Sequence, residues 1–162
     1  MKFLVSTLTV IIFLLTACKD LASKQDEVAA ASPIFQEVKK FEAQGDKAMP
    51  ALVLYQKGMR ELLRSLEAAN QTTDSTSMRI RKNLSELNRA ENAFSSFKTE
   101  YKHRLDTMSA EKREIYLQGA KIDVTSATDM VLYAVREAKR YSQVLRDRGI
   151  QINTLPQELP GE

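Results

Sequence analysis

From Ile34 onward the apolar positions recur at alternating intervals of four and three: Ile34, Val38, Phe41, Gly45, Ala48, Leu52, Tyr55, Met59, Leu62, Leu66 and Ala69. That spacing keeps one side of an α-helix turned toward a partner, as in a coiled coil. Ser32-Pro33 opens the segment: Ser offers a capping oxygen to the first amides, and Pro at the first helical position forfeits no hydrogen bond. The register passes straight through Gly45 and Pro50, although Pro50 should clash with the carbonyl of Asp46 and kink the helix. Residues 33–70 therefore read as one kinked helix. The alternative is two helices divided between Gly45 and Pro50.

Asn70 to Ser77 holds no apolar residue and is rich in capping types, which makes it a turn. The next stripe is Ile80, Leu84, Leu87, Ala90, Phe94, Phe97, Tyr101, Leu105 and Met108. It begins as a heptad and then drifts sideways around the helix. Thr107-Met108-Ser109 is a weaker break, marked only by Ser109 as an N-cap before Ala110-Glu111.

The third segment repeats the three-four spacing through Leu117, Ala120, Val124, Ala127, Val131, Ala134, Ala138, Tyr141 and Leu145. A second stripe, Ile115, Ile122, Met130, Tyr133 and Val144, is expected to lie beside the first and to meet a second neighbour. Four Ala residues on the main seam let another helix come close. Gly149 ends the segment, with Ile150 placed against Leu145 as in a Schellman cap. The segments 33–70, 74–108 and 110–148 are matched in length, each roughly 52–58 Å as a helix. Short turns make neighbours antiparallel. The expected fold is all-α, an elongated up-down-up three-helix bundle over 33–150 with coiled-coil-like seams, or four helices if the chain turns at Gly45–Pro50. The rod is expected to be monomeric or weakly self-associating, and residues 151–162, with Pro156 and Pro160, to form an irregular tail.

Before these segments lies a different kind of sequence. Lys2 precedes an apolar stretch from Phe3 to Leu15, broken only by Ser6, Thr7 and Thr9. It is shorter than the about 20 residues a membrane-spanning helix needs. Leu15-Thr16-Ala17-Cys18 follows, and Cys18 is the one cysteine of the chain. These features resemble the signal and lipobox of bacterial lipoproteins. The resemblance is confined to the first eighteen residues. It implies that residues 1–17 are removed and that Cys18 carries acyl chains of the palmitate type, an anchor and not a catalytic thiol. Two or three chains hold a membrane firmly where one does not. Lys19 rather than Asp after the cysteine favours, by the same analogy, the periplasmic face of the outer membrane over the inner membrane. Residues 18–32 then read as acylated Cys and tether, the fourteen residues after Cys18 reaching at most roughly 46–50 Å.

Composition narrows function mainly by exclusion. Hydrophobic residues make up 43% and charged residues 28%, which suits a folded chain. One Cys excludes an internal disulfide framework and a Cys-rich metal site. Glu100 and His103 have the Glu-x-x-His spacing of di-iron bundles, yet such sites need two copies and His103 is the single His. Lys102 and Arg104 flank it and repel a cation. A Ser-His-Asp triad has no credible members. The five Gly residues are scattered at 45, 58, 119, 149 and 161, so no phosphate loop exists. Glu91 approaches the drifting seam, as edge residues of long helices commonly do. No enzyme, metal or cofactor is expected.

The net charge of +3 is too balanced to imply nucleic-acid binding, but its distribution is uneven. In an up-down-up bundle, 57–89 and 136–148 share one pole, and together they carry twelve basic against six acidic residues. Arg79, Arg81 and Lys82 sit near a helix start, where the helix dipole disfavours cations. With Arg136, Arg140, Arg146 and Arg148 they form a candidate patch for an anionic partner such as lipid headgroups or cell-wall polymer. A solvated helical surface with local pairs, Glu61 with Arg64 or Glu137 with Arg140, accounts for the same residues. The sequence thus points to a lipid-anchored, non-enzymatic module of the cell envelope that binds or spaces a protein partner. An alternative is a protective lipoprotein of the immunity or conjugation-exclusion type.

Overall fold

The computed structural model of the chain describes residues 32–70 and 74–150. The expected signal 1–17, Cys18 with nearly all of the tether, residues 71–73 of the first turn and the tail 151–162 lie outside the described residues. Three helices follow one another: α1 Pro33–Ala68, α2 Ser75–Thr107 and α3 Ala110–Asp147. Among the described residues there is no strand, and 92% are helical. No helix among them is long and apolar enough to cross a membrane.

α1 continues unbroken through Gly45 and Pro50, which sets aside the four-helix alternative. Pro50 sits on the exposed side of the helix, whereas Gly45 is buried on the seam. Once the apolar seam on both sides of Pro50 is buried against the same partners, the missing amide bond is outweighed by packing.

The cross-helix contacts fix the topology. Between α1 and α3 the paired residues keep a nearly constant offset: Ser32 Oγ donates to Glu114, Lys121 pairs with Glu37, and Thr128 Oγ1 donates to the Phe41 carbonyl. A constant offset means parallel helices. Against α2 the numbering runs in opposite directions, with Asp46 on Lys98, Gln56 on Asn88 and Glu67 on Arg81. α3 likewise opposes α2, from Tyr101 against Tyr116 to Tyr141 Oη donating to the Thr76 carbonyl. All three pairs of helices touch, so the chain is an up-down-up three-helix bundle.

The three seams form the core. Leu52, Met59, Ile80, Leu87, Phe94, Val131 and Leu145 are at most 1% exposed in the larger cluster. Val38, Tyr101, Leu117, Ala120 and Val124 form a second cluster toward the Pro33 end. Each large apolar side chain removed from water stabilises the fold by about 1.5–3 kcal/mol before entropy is counted. All nine residues of the main α3 seam are buried, including the four Ala residues that admit α1 and α2 closely.

Two expectations fail locally. Neither Ser32 nor Ser109 makes a side-chain hydrogen bond to its own helix start. Ser32 instead reaches across to Glu114, because α1 and α3 begin at the same pole. The second stripe of α3 does not meet a neighbour along its length. Met130 and Val144 are half-buried, but Ile115, Ile122 and Tyr133 are 77%, 71% and 52% exposed. Each of these three lies two positions from a seam residue (Leu117, Ala120, Val131), hence about 200° around the helix. That is the back of α3, not its flank.

The C-terminus of α3 behaves as the sequence predicts. Gly149 adopts φ 78°, its amide donates to the Arg146 carbonyl at 2.8 Å, and the Ile150 amide donates to Leu145 at 2.9 Å. This is the Schellman pair of bonds. At the end of α1, Asn70 takes the left-handed conformation with φ 57°, a role its short polar side chain tolerates.

Candidate functional site

Because α2 begins and α3 ends at one pole, the basic residues singled out from the sequence are brought partly together. Arg79, Lys82 and Arg140 line a cleft of about 200 Å³ between the two helices, floored by Tyr141 and Val144. Glu86 and Glu137 line it too, so its charge is largely offset. Lys82 is 4.0 Å from Glu86, and Arg140 is 3.9 Å from Glu137. Burial pushes the Tyr141 hydroxyl above its usual pKa, while Arg79 and Arg148 pull it back down. Those two cations therefore share the Tyr141 neighbourhood.

The remaining candidates are placed elsewhere. Arg81 turns to α1 and pairs with Glu67 at 3.0 Å. Arg136 is exposed on α3 four residues before Arg140, and Arg146 is half-buried in the last turn. Asp74 at the start of α2 is held below the usual carboxylate range, first by a hydrogen bond from the Thr76 side chain.

The second feature is the back of α3. Ile122, Met130 and Tyr133 border a shallow groove of about 630 Å³, together with Lys121, Asp129 and Ser126. Ser126 and Met130 also line the next groove, beside Phe97 and Tyr116, and Tyr133 lines the basic cleft. Three separate hollows thus adjoin along α3 between Tyr116 and Val144. The residues of this stripe are those expected, but they face solvent and not a second neighbour. The signal was present in the two-residue spacing from the seam.

Candidate chemistry is sparse. No group of three His, Cys, Asp or Glu residues among those described could hold a metal ion. Glu100 lies 3.8 Å from Arg104 on the exposed surface, and Glu91 accepts from Gln56 Nε2 at 2.8 Å. Gln56 is buried and also donates to Asn88, so Glu91 belongs to a polar contact between α1 and α2. Sequence reasoning did not anticipate the buried Tyr101 hydroxyl, which has no hydrogen-bond partner among the described residues. Its ring stacks on Phe97 and Tyr116, at 5.3 and 6.2 Å between centroids, with Lys39 5.6 Å above it. Burial, with a smaller contribution from Glu42, pushes its pKa far above the ordinary value.

No family model, no curated protein and no solved structure matches the chain.

Proposed function

We propose that the chain is a lipid-anchored helical module of the bacterial envelope that binds or spaces a protein partner. The back of α3 carries the binding part of this reading. A soluble helix bundle ordinarily keeps isolated apolar residues outside, whereas an aligned row of large ones marks a contact surface. Ile115, Ile122 and Tyr133 fall on such a row, and a shallow groove runs beside Ile122 and Tyr133. The anchor rests on the resemblance of Leu15-Thr16-Ala17-Cys18 to a lipobox, and the outer-membrane placement on Lys19.

The two parts are tested separately. Cys18→Ser should abolish lipid labelling and leave the uncut precursor; normal labelling and processing of that variant would remove the anchor. Replacing Ile115, Ile122 and Tyr133 together with Gln should strip bound protein from the chain purified out of detergent-solubilised membranes. Retention of the same bound protein by a folded triple variant would remove the binding role of this face. The cleft of Arg79, Lys82 and Arg140 supports a second, anionic contact at the opposite pole from Pro33.

A further inference from the structure

Between Ile115 and Tyr133 the charged residues of α3 are Lys121, Asp123 and Asp129. Lys121 is engaged by Glu37 of α1. Asp123 and Asp129 are exposed, and neither has an ion pair or a hydrogen bond among the described residues. In a chain of net charge +3, the apolar row therefore runs through a stretch whose uncommitted charges are both negative.

Their positions matter as much as their sign. At 3.6 residues per turn, Asp123 and Asp129 stand about 120° apart around α3 and about 9 Å apart along it. Ile122, Ser126 and Tyr133 fall between them. Asp129 lines the groove that Ile122 and Tyr133 border, and Asp123 lines the adjoining hollow beside Tyr116. Whatever covers the row covers both carboxylates with it.

Taking an unpaired carboxylate out of water is costly, and a few apolar contacts do not offset it unless a cation meets the charge. Acyl chains and anionic headgroups supply no such cation. A second copy of this face brings two more carboxylates and a Lys121 that is already engaged. A helix of another protein meets the requirement when its apolar residues recur at three-four spacing and Lys or Arg stand on both sides of them. Those are the flanking positions of a coiled coil. The row is about 27 Å long, five turns of such a helix. Gly119 and Ser126 keep the face low between the larger side chains; a Cβ at Gly119 would meet nothing within 4 Å.

We infer that the partner of this face is a basic amphipathic helix of another protein, with its apolar stripe on Ile115, Ile122 and Tyr133 and its cations over Asp123 and Asp129. The inference rests on the protein-binding reading of the same surface. The contact loosens as salt rises, because exposed charges are screened over about 8 Å at physiological ionic strength.

A benzophenone amino acid in place of Tyr133, in the full chain in its membrane, tests the partner's chemistry. The adduct formed by light is digested and the attached segment is sequenced by mass spectrometry. A segment with apolar residues at helical spacing and Lys or Arg on both sides is expected. Asp123→Lys with Asp129→Lys should cut the adduct roughly tenfold, while circular dichroism shows the helix content kept. Changing the partner's flanking cations to Glu should restore it.

The other outcomes separate this inference from the reading beneath it. An adduct with a second copy, or with a protein segment lacking cations, overturns the basic helix and keeps the protein-binding role. So does a basic segment whose yield ignores the charge reversal. An adduct with lipid alone, or none at all, overturns both.

Discussion

A methyl group added to Gly45 would lie 2.2 Å from Cε2 of Phe94. Gly45 is on the buried seam of α1, and Phe94 is the largest fully buried side chain of α2. The backbone of one helix is therefore the wall on which the aromatic ring of the other rests.

Gly45→Ala should destabilise the bundle by about 1–3 kcal/mol despite the better helix propensity of Ala, because the ring has no room to retreat. Gly119→Ala is the opposite case. Nothing lies near its Cβ, so the helix should gain about 0.5–1 kcal/mol. Chemical denaturation of both variants checks the pair. Combining Gly45→Ala with Phe94→Leu should cost less than the two single changes added together.

Tyr101→Phe should stabilise the chain or leave it unchanged, by up to about 1 kcal/mol. It removes a buried hydroxyl with no partner and keeps the stacked ring. A clear loss of stability in thermal unfolding would show that the hydroxyl is satisfied after all.

Alkaline pH should unfold the protein early. Tyr101, Tyr116 and Tyr141 all hold their protons more tightly in the fold than at the ordinary value of 10.0, chiefly through burial. A raised folded pKa gives stability that is complete below the unfolded value and lost as pH rises past it. Stability should thus be level up to about pH 9 and fall steeply above pH 10, with tyrosinate absorbance appearing together with loss of helix. Independent titration of three tyrosines in an intact helical chain would contradict this.

Thr128→Val should weaken the α1–α3 contact by about 0.5–1.5 kcal/mol, since the buried hydroxyl donates to the Phe41 carbonyl at 3.0 Å. The measurement is the denaturation midpoint. An unchanged midpoint would mean that the contact contributes nothing net.

At the basic pole, vesicle co-sedimentation decides whether the cleft recognises anions. If it does, the protein should sediment with anionic but not neutral vesicles, less so in high salt. Arg79, Lys82 and Arg140 changed to Gln should abolish it. Equal sedimentation of wild type and variant would leave the pole a solvated surface. The acidic Glu86 and Glu137 set a low ceiling on the effect.

The seams were legible because three-four spacing has one physical meaning when sustained over thirty residues. Val38, Leu52, Leu87, Val124 and Leu145 are buried where the spacing puts them. Gly149 was legible for the same kind of reason, a left-handed position that favours glycine. What escaped was whatever depends on the second helix. Ser32 has a capping residue's chemistry, but its side chain is turned to donate to Glu114, 82 residues away. The outer stripe of Ile115, Ile122 and Tyr133 lies about 200° around α3 from its nearest seam residues, a direction that apolar character alone does not reveal. The basic patch divided because Arg81 had a carboxylate within reach on α1, which no local pattern reveals. The reason for Gly45 on the seam is Phe94 of α2, which no local pattern around Gly45 reveals.

An odd number of passes leaves Pro33 and Ile150 at opposite ends of the rod. In mechanical terms, that fixes how the molecule carries load. A pull applied between those two points drags α1 and α3, which lie parallel, lengthwise past each other. It does not peel a hairpin open one turn at a time. Interlocked side chains such as Val38, Leu52, Val124 and Leu145 must then slip together, and the rupture is a shear spread over about 50 Å. A chain held at one end and gripped at the other would behave as a stiff strut with an abrupt yield point.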